Sequence, residues 1–110
     1  MYQFERSAYE KRMQWFREAR FGLFLHWGLY AIPARGEWVR NQEQMPEESY
    51  LPFFEEFRAE DFDPKAWAKA AKEAGMRYAV LTAKHHDGFC LFDSKLTDFK
   101  STNTPCGRDI

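Results

Sequence analysis

Three short clusters bring all three histidines of the sequence beside carboxylates and tryptophans: His26-Trp27, Gly36-Glu37-Trp38 and His85-His86-Asp87. A neutral imidazole carries one hydrogen-bond donor and one acceptor, and an ionised carboxylate only accepts. Imidazoles grouped with a carboxylate therefore suit a ligand rich in hydroxyls, and a neighbouring tryptophan offers a flat apolar surface to the carbon face of a sugar. Taken singly, each residue has a plainer account. His26 reads as a hydrogen-bonded residue at a strand end, Glu37 as a solvated loop carboxylate, Trp27 as packing, and Asp87 as either a turn residue or one that supports the site from behind. The adjacent pair His85-His86 resists that account, because two buried imidazoles cost desolvation unless they meet polar partners. Histidine is also a common metal ligand. Adjacent histidines, however, are not the H-x-H or H-E-x-x-H spacing that brings two rings to one ion, so no metal and no cofactor is expected.

The elements that must position these clusters can be read from the periodicity. Residues 7–20 read as a helix, with Ser7 and Glu10 at capping-box spacing and Tyr9, Met13 and Phe16 on one face. Phe21 to Trp27 form a nearly continuous apolar run, the pattern of a strand buried on both faces. Residues 29–46, which hold Pro33, Gly36 and Pro46, read as a long loop of the functional kind. Residues 47–58 predict a short helix with Tyr50, Phe53, Phe54 and Phe57 along one face, where Pro52 is tolerable only near the start. Asp63 as N-cap, Pro64 as first helical residue and Gly75 as left-handed stop bracket a further helix whose inward stripe is Trp67, Ala71 and Ala74. Residues 77–83 give a second buried strand, and Lys84 to Ile110 read as loop and turn.

Two buried strands joined by helices make a βαβ unit, which implies an α/β fold with a parallel sheet and a right-handed crossover. Two parallel strands alone leave edges and apolar faces open. The chain is therefore expected to be part of something larger, and the closing GRDI, which has no capping pattern, agrees. His26-Trp27 close the first strand, Gly36-Glu37-Trp38 lie in the long loop after it, and His85-His86-Asp87 follow the second. That is where the active site of a (β/α)8 barrel lies, at the C-terminal ends of its strands.

The composition limits the function classes. The chain has 110 residues, enough for one small domain; 45% are hydrophobic, 18% are aromatic, and the net charge of −1 comes from both signs mixed along the sequence. No basic stripe points to nucleic acid, and no apolar run approaches the ~20 residues of a membrane span. Cys90 and Cys106 are too few for a disulfide scaffold; two reduced thiols are expected, with a single bridge the alternative. Residues 1–20 lack the apolar core of a signal peptide. A cytoplasmic protein is expected if Met1 is the native start, and export stays open otherwise.

The strings FGLFLHWGLYAIP, GEW and YAVLTAKHHDGFCLFDS, with FDPKAWAKAAKEAG between them, resemble the N-terminal part of the glycoside hydrolase α-L-fucosidases. The resemblance runs from about Trp15 to the last residue. It implies that residues 1–110 are the N-terminal part of a single catalytic domain, a fragment of a (β/α)8 TIM-like barrel followed in the family by a C-terminal β-sandwich. It implies hydrolysis of terminal α-L-fucosides, from a fucosylated glycan or a small α-L-fucoside, with retention of configuration. Carried over by position, it gives fucose-binding roles to His26, Glu37, Trp38, His85 and His86. A retaining enzyme needs two carboxyl groups about 5–5.5 Å apart. In the family the nucleophilic aspartate and the acid/base come from later strands, beyond Ile110, so no catalytic residue is assigned within this chain and the isolated chain is expected to be inactive. Two other classes stay in view: a fucose-binding module without catalysis, and a metal-dependent barrel hydrolase built on His26, His85 and His86.

Overall fold

The computed structural model describes residues 3–110. They fall into two units, residues 3–24 with 63–80 and residues 25–62 with 81–110.

The first unit opens with α1, Arg6–Ala19. Its N-cap is Glu5, whose carboxylate accepts from the backbone N–H of Ser7 and Ala8. This corrects the capping box expected at Ser7. The acidic side chain two residues earlier starts the helix at Arg6, reaches its first exposed donors and suits its positive end, which leaves Ser7 inside the helix with its hydroxyl donating to Glu5. Glu10, freed from capping, pairs with Arg6 and Arg17. α1 ends at Arg20, which adopts a left-handed conformation with φ 54°. Tyr9 and Met13 are half-buried, while Phe16 is exposed, so the expected apolar face is only partly covered.

Strand β1, Leu23–Leu25, pairs with β2, Ala79–Leu81. The ladder runs through Arg77 N–H to the Phe21 carbonyl and Leu23 N–H to the Tyr78 carbonyl, both 2.9 Å, and Thr82 N–H to the Leu25 carbonyl, 3.0 Å. Both strands advance together, so the pair is parallel as expected. The expected burial is not seen: no residue of either strand is buried. Among the described residues the sheet has two strands, so each keeps an open edge and neither apolar face is closed. Gly22 precedes β1 for a steric reason. A Cβ there would stand 2.3–2.6 Å from the Tyr78 ring, and that ring packs against Trp15 and Phe16 at centroid distances of 6.0 and 5.2 Å.

The next helix of this unit in sequence, Pro64–Glu73, follows the sequence reading closely. Asp63 accepts from the N–H groups of Lys65 and Ala66 at 3.0 Å, Pro64 leads the helix, and Gly75 stands at φ +86° just past its end. Trp67 and Ala71 are half-buried, and Ala74 is exposed.

The second unit holds the core. Residues 29–46 are not the plain loop expected. A 3-10 turn at Leu29–Ala31 and a short helix α2, Val39–Gln42, fix them, because Leu29, Tyr30 and Val39 are all buried. Arg35 closes the intervening segment with two parallel hydrogen bonds to Glu43, at 2.6 and 2.9 Å. Helix α3, Glu47–Glu56, supplies Tyr50, Phe53 and Phe54, with Phe57 at its C-terminal boundary. Pro52 lies in its interior rather than near its start. The ring removes one intrahelical hydrogen bond, and the buried aromatic face retains the helix. The Pro64–Glu73 helix is α4 in chain order.

Residues 84–110 are mostly loop and turn, as expected, apart from a 3-10 turn at Ser101–Asn103, but they are not peripheral. Phe89, Cys90 and Leu91 are buried in the core beside Tyr50 and Phe57. Cys90 bridges Lys84 on one side and Lys100 on the other. The Ser101 hydroxyl donates to the carbonyls of Leu91 (2.8 Å) and Arg108 (2.7 Å), and Ile110 N–H to the Leu91 carbonyl (2.9 Å). Backbone and hydroxyl bonds replace a strand ladder here, which is why periodicity did not reveal it. Cys90 is buried, Cys106 is half-buried, and no bond joins them. Among the described residues no helix is long and apolar enough to cross a membrane.

Candidate functional site

His26 follows β1 directly and is exposed. Glu37 and Trp38 sit immediately before α2. Val39 is buried beneath them and the Arg35–Glu43 pair closes the segment, so Trp38 is held at the surface with 45% of its area exposed. His85 and His86 follow β2 in a tight turn closed by Gly88 N–H to the His85 carbonyl, 3.1 Å. In an extended chain their side chains would point to opposite faces. The turn removes that alternation, and Gly88 accepts the φ of +85° that the chain needs to leave it.

These residues meet in one place. The His86 ring stacks on the Trp38 indole, with centroids 4.1 Å apart and planes 7° from parallel. His85 stands edge-on to Trp38 (5.4 Å), to His26 (5.5 Å) and to His86 (4.9 Å). His86 Nε2 lies 2.9 Å from the Glu37 carbonyl oxygen and donates to it in the tautomer that bears a proton there. The Glu37 carboxylate accepts no hydrogen bond among the described residues, so its oxygens are open to a hydroxyl donor. The set thus offers imidazole donors and acceptors, one carboxylate and one exposed indole. Trp27 packs on Phe57 and stacks on Phe62, at 5.4 and 5.0 Å.

Three residues that sequence reasoning did not single out lie directly beneath. Tyr30, from the 3-10 turn, packs edge-on against His85 at 5.5 Å. Burial first, then the negative charges of Asp87 and Glu37, push its phenol up to about 12. Its hydroxyl and His85 Nδ1 are buried with no hydrogen-bond partner among the described residues. Tyr50 donates to Asp87 Oδ2 at 2.8 Å, and its phenol is also raised, by burial first and then by the Asp87 charge. Arg40 donates to the Asp87 carbonyl at 3.0 Å, and its guanidinium stands 5.0 Å over the Tyr50 ring. The available signal was a tyrosine in an otherwise phenylalanine-rich helical stripe, a polar tip placed where a core needs none. Beside His86 lies a shallow depression of about 350 Å³ lined by Arg40, Asn41, Gln44 and Met45. No group of three or more His, Cys, Asp or Glu side chains among the described residues is arranged to hold a metal ion.

Such a surface can hold a small polyol by its hydroxyls and one apolar face. Comparison with known proteins points the same way. The family model described as Alpha-L-fucosidase matches residues 1–110. A rat tissue alpha-L-fucosidase (Rattus norvegicus) is 42% identical over 114 residues, which cover 88% of this chain and 25% of the rat protein. The solved structure of alpha-L-fucosidase isoenzyme 1 from Paenibacillus thiaminolyticus superposes with a TM-score of 0.91 at 69% identity, covering 93% of this chain and 24% of that one. A Bacteroides thetaiotaomicron alpha-L-fucosidase, solved as a trapped covalent intermediate with 2-fluoro-fucosyl fluoride, superposes at 0.84 with 44% identity, covering 91% and 25%. The chain spans about a quarter of the length of these relatives.

Proposed function

The chain belongs to the α-L-fucosidase family, and from that premise we propose that the complete polypeptide carrying it releases terminal α-L-fucose from fucosylated glycans or small α-L-fucosides with retention of configuration. In this reading residues 1–110 are the first part of a (β/α)8 catalytic barrel and supply part of the fucose pocket. His26, His85 and His86 hydrogen-bond ring hydroxyls, Glu37 accepts from a hydroxyl, and Trp38 lines the pocket against the apolar side of the sugar. The observation that carries the reading is that these five residues, from three separate segments, form one cluster: His85 and His86 pack on the exposed Trp38 indole, His26 on His85, and the Glu37 carbonyl on His86. Fucose lacks the 6-hydroxyl, so a pocket that combines imidazoles with an aromatic ring matches both its hydroxyls and its methyl group.

Retention requires a nucleophilic carboxylate and an acid/base carboxyl about 5–5.5 Å apart. Neither role falls to a residue here. Asp87 is buried and committed to Tyr50 and Phe89, and Glu37 binds rather than attacks. Both catalytic carboxyl groups come from later strands, so the 110-residue chain by itself does not turn over substrate. The test uses the full-length protein and an aryl α-L-fucoside. His26→Ala, His85→Ala and His86→Ala are each expected to lower kcat/KM about tenfold or more, since each removes a hydrogen bond to substrate and strands its partner. Contacts to the 2-hydroxyl strengthen in the transition state, so at least one of the three also lowers kcat. Near-normal kcat/KM in all three would make these histidines structural.

A further inference from the structure

Asp87 is 6% exposed. Its carboxylate caps its own turn by accepting from Phe89 N–H at 3.1 Å, a task that a neutral side chain could do without the cost of burying charge. The other contacts show a larger role. The second carboxylate oxygen accepts from the Tyr50 hydroxyl, 37 residues away in the chain on α3. The backbone carbonyl accepts from Arg40, 47 residues away on α2. Arg40 in turn lies over the Tyr50 ring, so all three groups touch one another.

Arg40 stands two residues after Trp38, and Asp87 directly follows His86. The Arg40–Asp87 bond therefore ties the segment that carries Glu37 and Trp38 to the turn that carries His85 and His86. The bond between His86 and the Glu37 carbonyl ties the same two segments at a second point. Two points of attachment fix register as well as distance, and the stacked Trp38–His86 pair is the result. Tyr50 supplies the fixed end, because it is 1% exposed within the aromatic core.

Resting on the fucose-site reading above, we infer that Asp87, Tyr50 and Arg40 form a clamp that positions His85, His86 and Trp38 for the sugar, with Tyr50 and Arg40 acting as positioning residues that touch no substrate. A ligand site built on loops needs such support, since a small misplacement of the binding groups is costly in affinity.

The test measures KM, kcat and inhibition by free L-fucose in the full-length protein, together with Tm. Tyr50→Phe keeps the ring and removes the hydroxyl. It is expected to weaken fucose binding about threefold to tenfold, in line with losing a hydrogen bond to a charged group whose effect partly reaches the site. Arg40→Met, which keeps the aliphatic stem at a half-buried position, is expected to act in the same direction and covers the case in which Tyr50→Phe folds poorly. The decisive measurement is a double-mutant cycle. In a His85→Ala/His86→Ala background, Tyr50→Phe is expected to have a much smaller effect on fucose inhibition, because of the three groups it positions only Trp38 remains. An unchanged loss in that background, or a Tm drop in Tyr50→Phe and Arg40→Met with fucose binding intact, overturns the clamp while leaving the fucose site standing. If the histidine double variant itself binds fucose as the parent does, the site reading falls and the clamp falls with it.

Discussion

Residues 3–24 and 63–80 contain two well-formed helices, yet none of these residues is buried. Residues 25–62 and 81–110 contain less helix and long irregular stretches, yet they hold every buried residue among those described. Regular structure and burial are thus inversely distributed between the two regions. In the first, local chemistry suffices: capping by Glu5 and Asp63, Pro64 at a helix start, and ion pairs such as Lys69–Glu73 one turn apart. Its large apolar side chains remain open, Trp15 at 57% and Phe24 at 62% exposure. In the second, the chain returns on itself. Leu91 meets Tyr50 and Leu29 in one cluster, and the bonds that seal it join residues far apart in sequence. A helix can be specified by neighbours in sequence, whereas a core needs neighbours in space.

The largest expected effect tests that contrast directly. In the 110-residue chain, Leu91→Ala should cost about 2–5 kcal/mol, the usual loss for emptying a packed site. Trp15→Ala should cost less than about 1 kcal/mol, as for an exposed position. Urea titration of the two variants measures both, and equal losses would erase the distinction between the regions.

A medium effect separates two kinds of glycine. Gly22→Ala drives a methyl group into the Tyr78 ring, so it should cost about 1–3 kcal/mol by overpacking and change the near-ultraviolet circular dichroism of the Trp15–Phe16–Tyr78 cluster. Gly88→Ala meets no atom within 4 Å and is opposed only by its φ of +85°, a left-handed penalty of about 1–2 kcal/mol. That variant should leave the aromatic spectrum of the first region as it was. A Gly22→Ala protein with an unaltered spectrum would show that this contact with the Tyr78 ring is not tight.

The smallest effect is that of acid. The hydrogen bond from Arg17 holds the Glu10 carboxyl below its ordinary value of 4.5, and that from Arg35 does the same for Glu43. A carboxyl lowered in the folded state stabilises fully above its ordinary value and loses that contribution as pH falls through the folded value. Both regions should therefore weaken slightly below about pH 4.5, and neither above it. Both pairs are solvent-exposed, so the effect should shrink in high salt. Glu43→Gln should remove the acid sensitivity of the segment before α2 without altering α1, which helix-resolved hydrogen exchange between pH 3 and 6 would detect.

The sequence alone was sufficient for α4 and its Asp63, Pro64 and Gly75 signals, for the aromatic face of α3, and for the two parallel strands and their order. Each of these is encoded by near neighbours or by a strand's apolar run. The five residues later found together were singled out by the resemblance of their motifs to a known family, and local pattern by itself gave only the three wider clusters that contain them. Glu5 displaced Ser7 as the cap of α1 because its carboxylate reaches the N–H groups of Ser7 and Ala8 and starts the helix two residues earlier, which only the folded helix start shows. The burial of β1 and β2 could not follow from their composition, since exposure depends on which elements lie alongside. Tertiary structure alone decided that residues 84–110 complete the core, that α2 orders the loop before it, and that Asp87 is held by Tyr50 and Arg40. Those contacts join side chains 37 and 47 residues apart. Sequence periodicity reports the face a residue turns inward, and it carries no record of which distant residue will be waiting there.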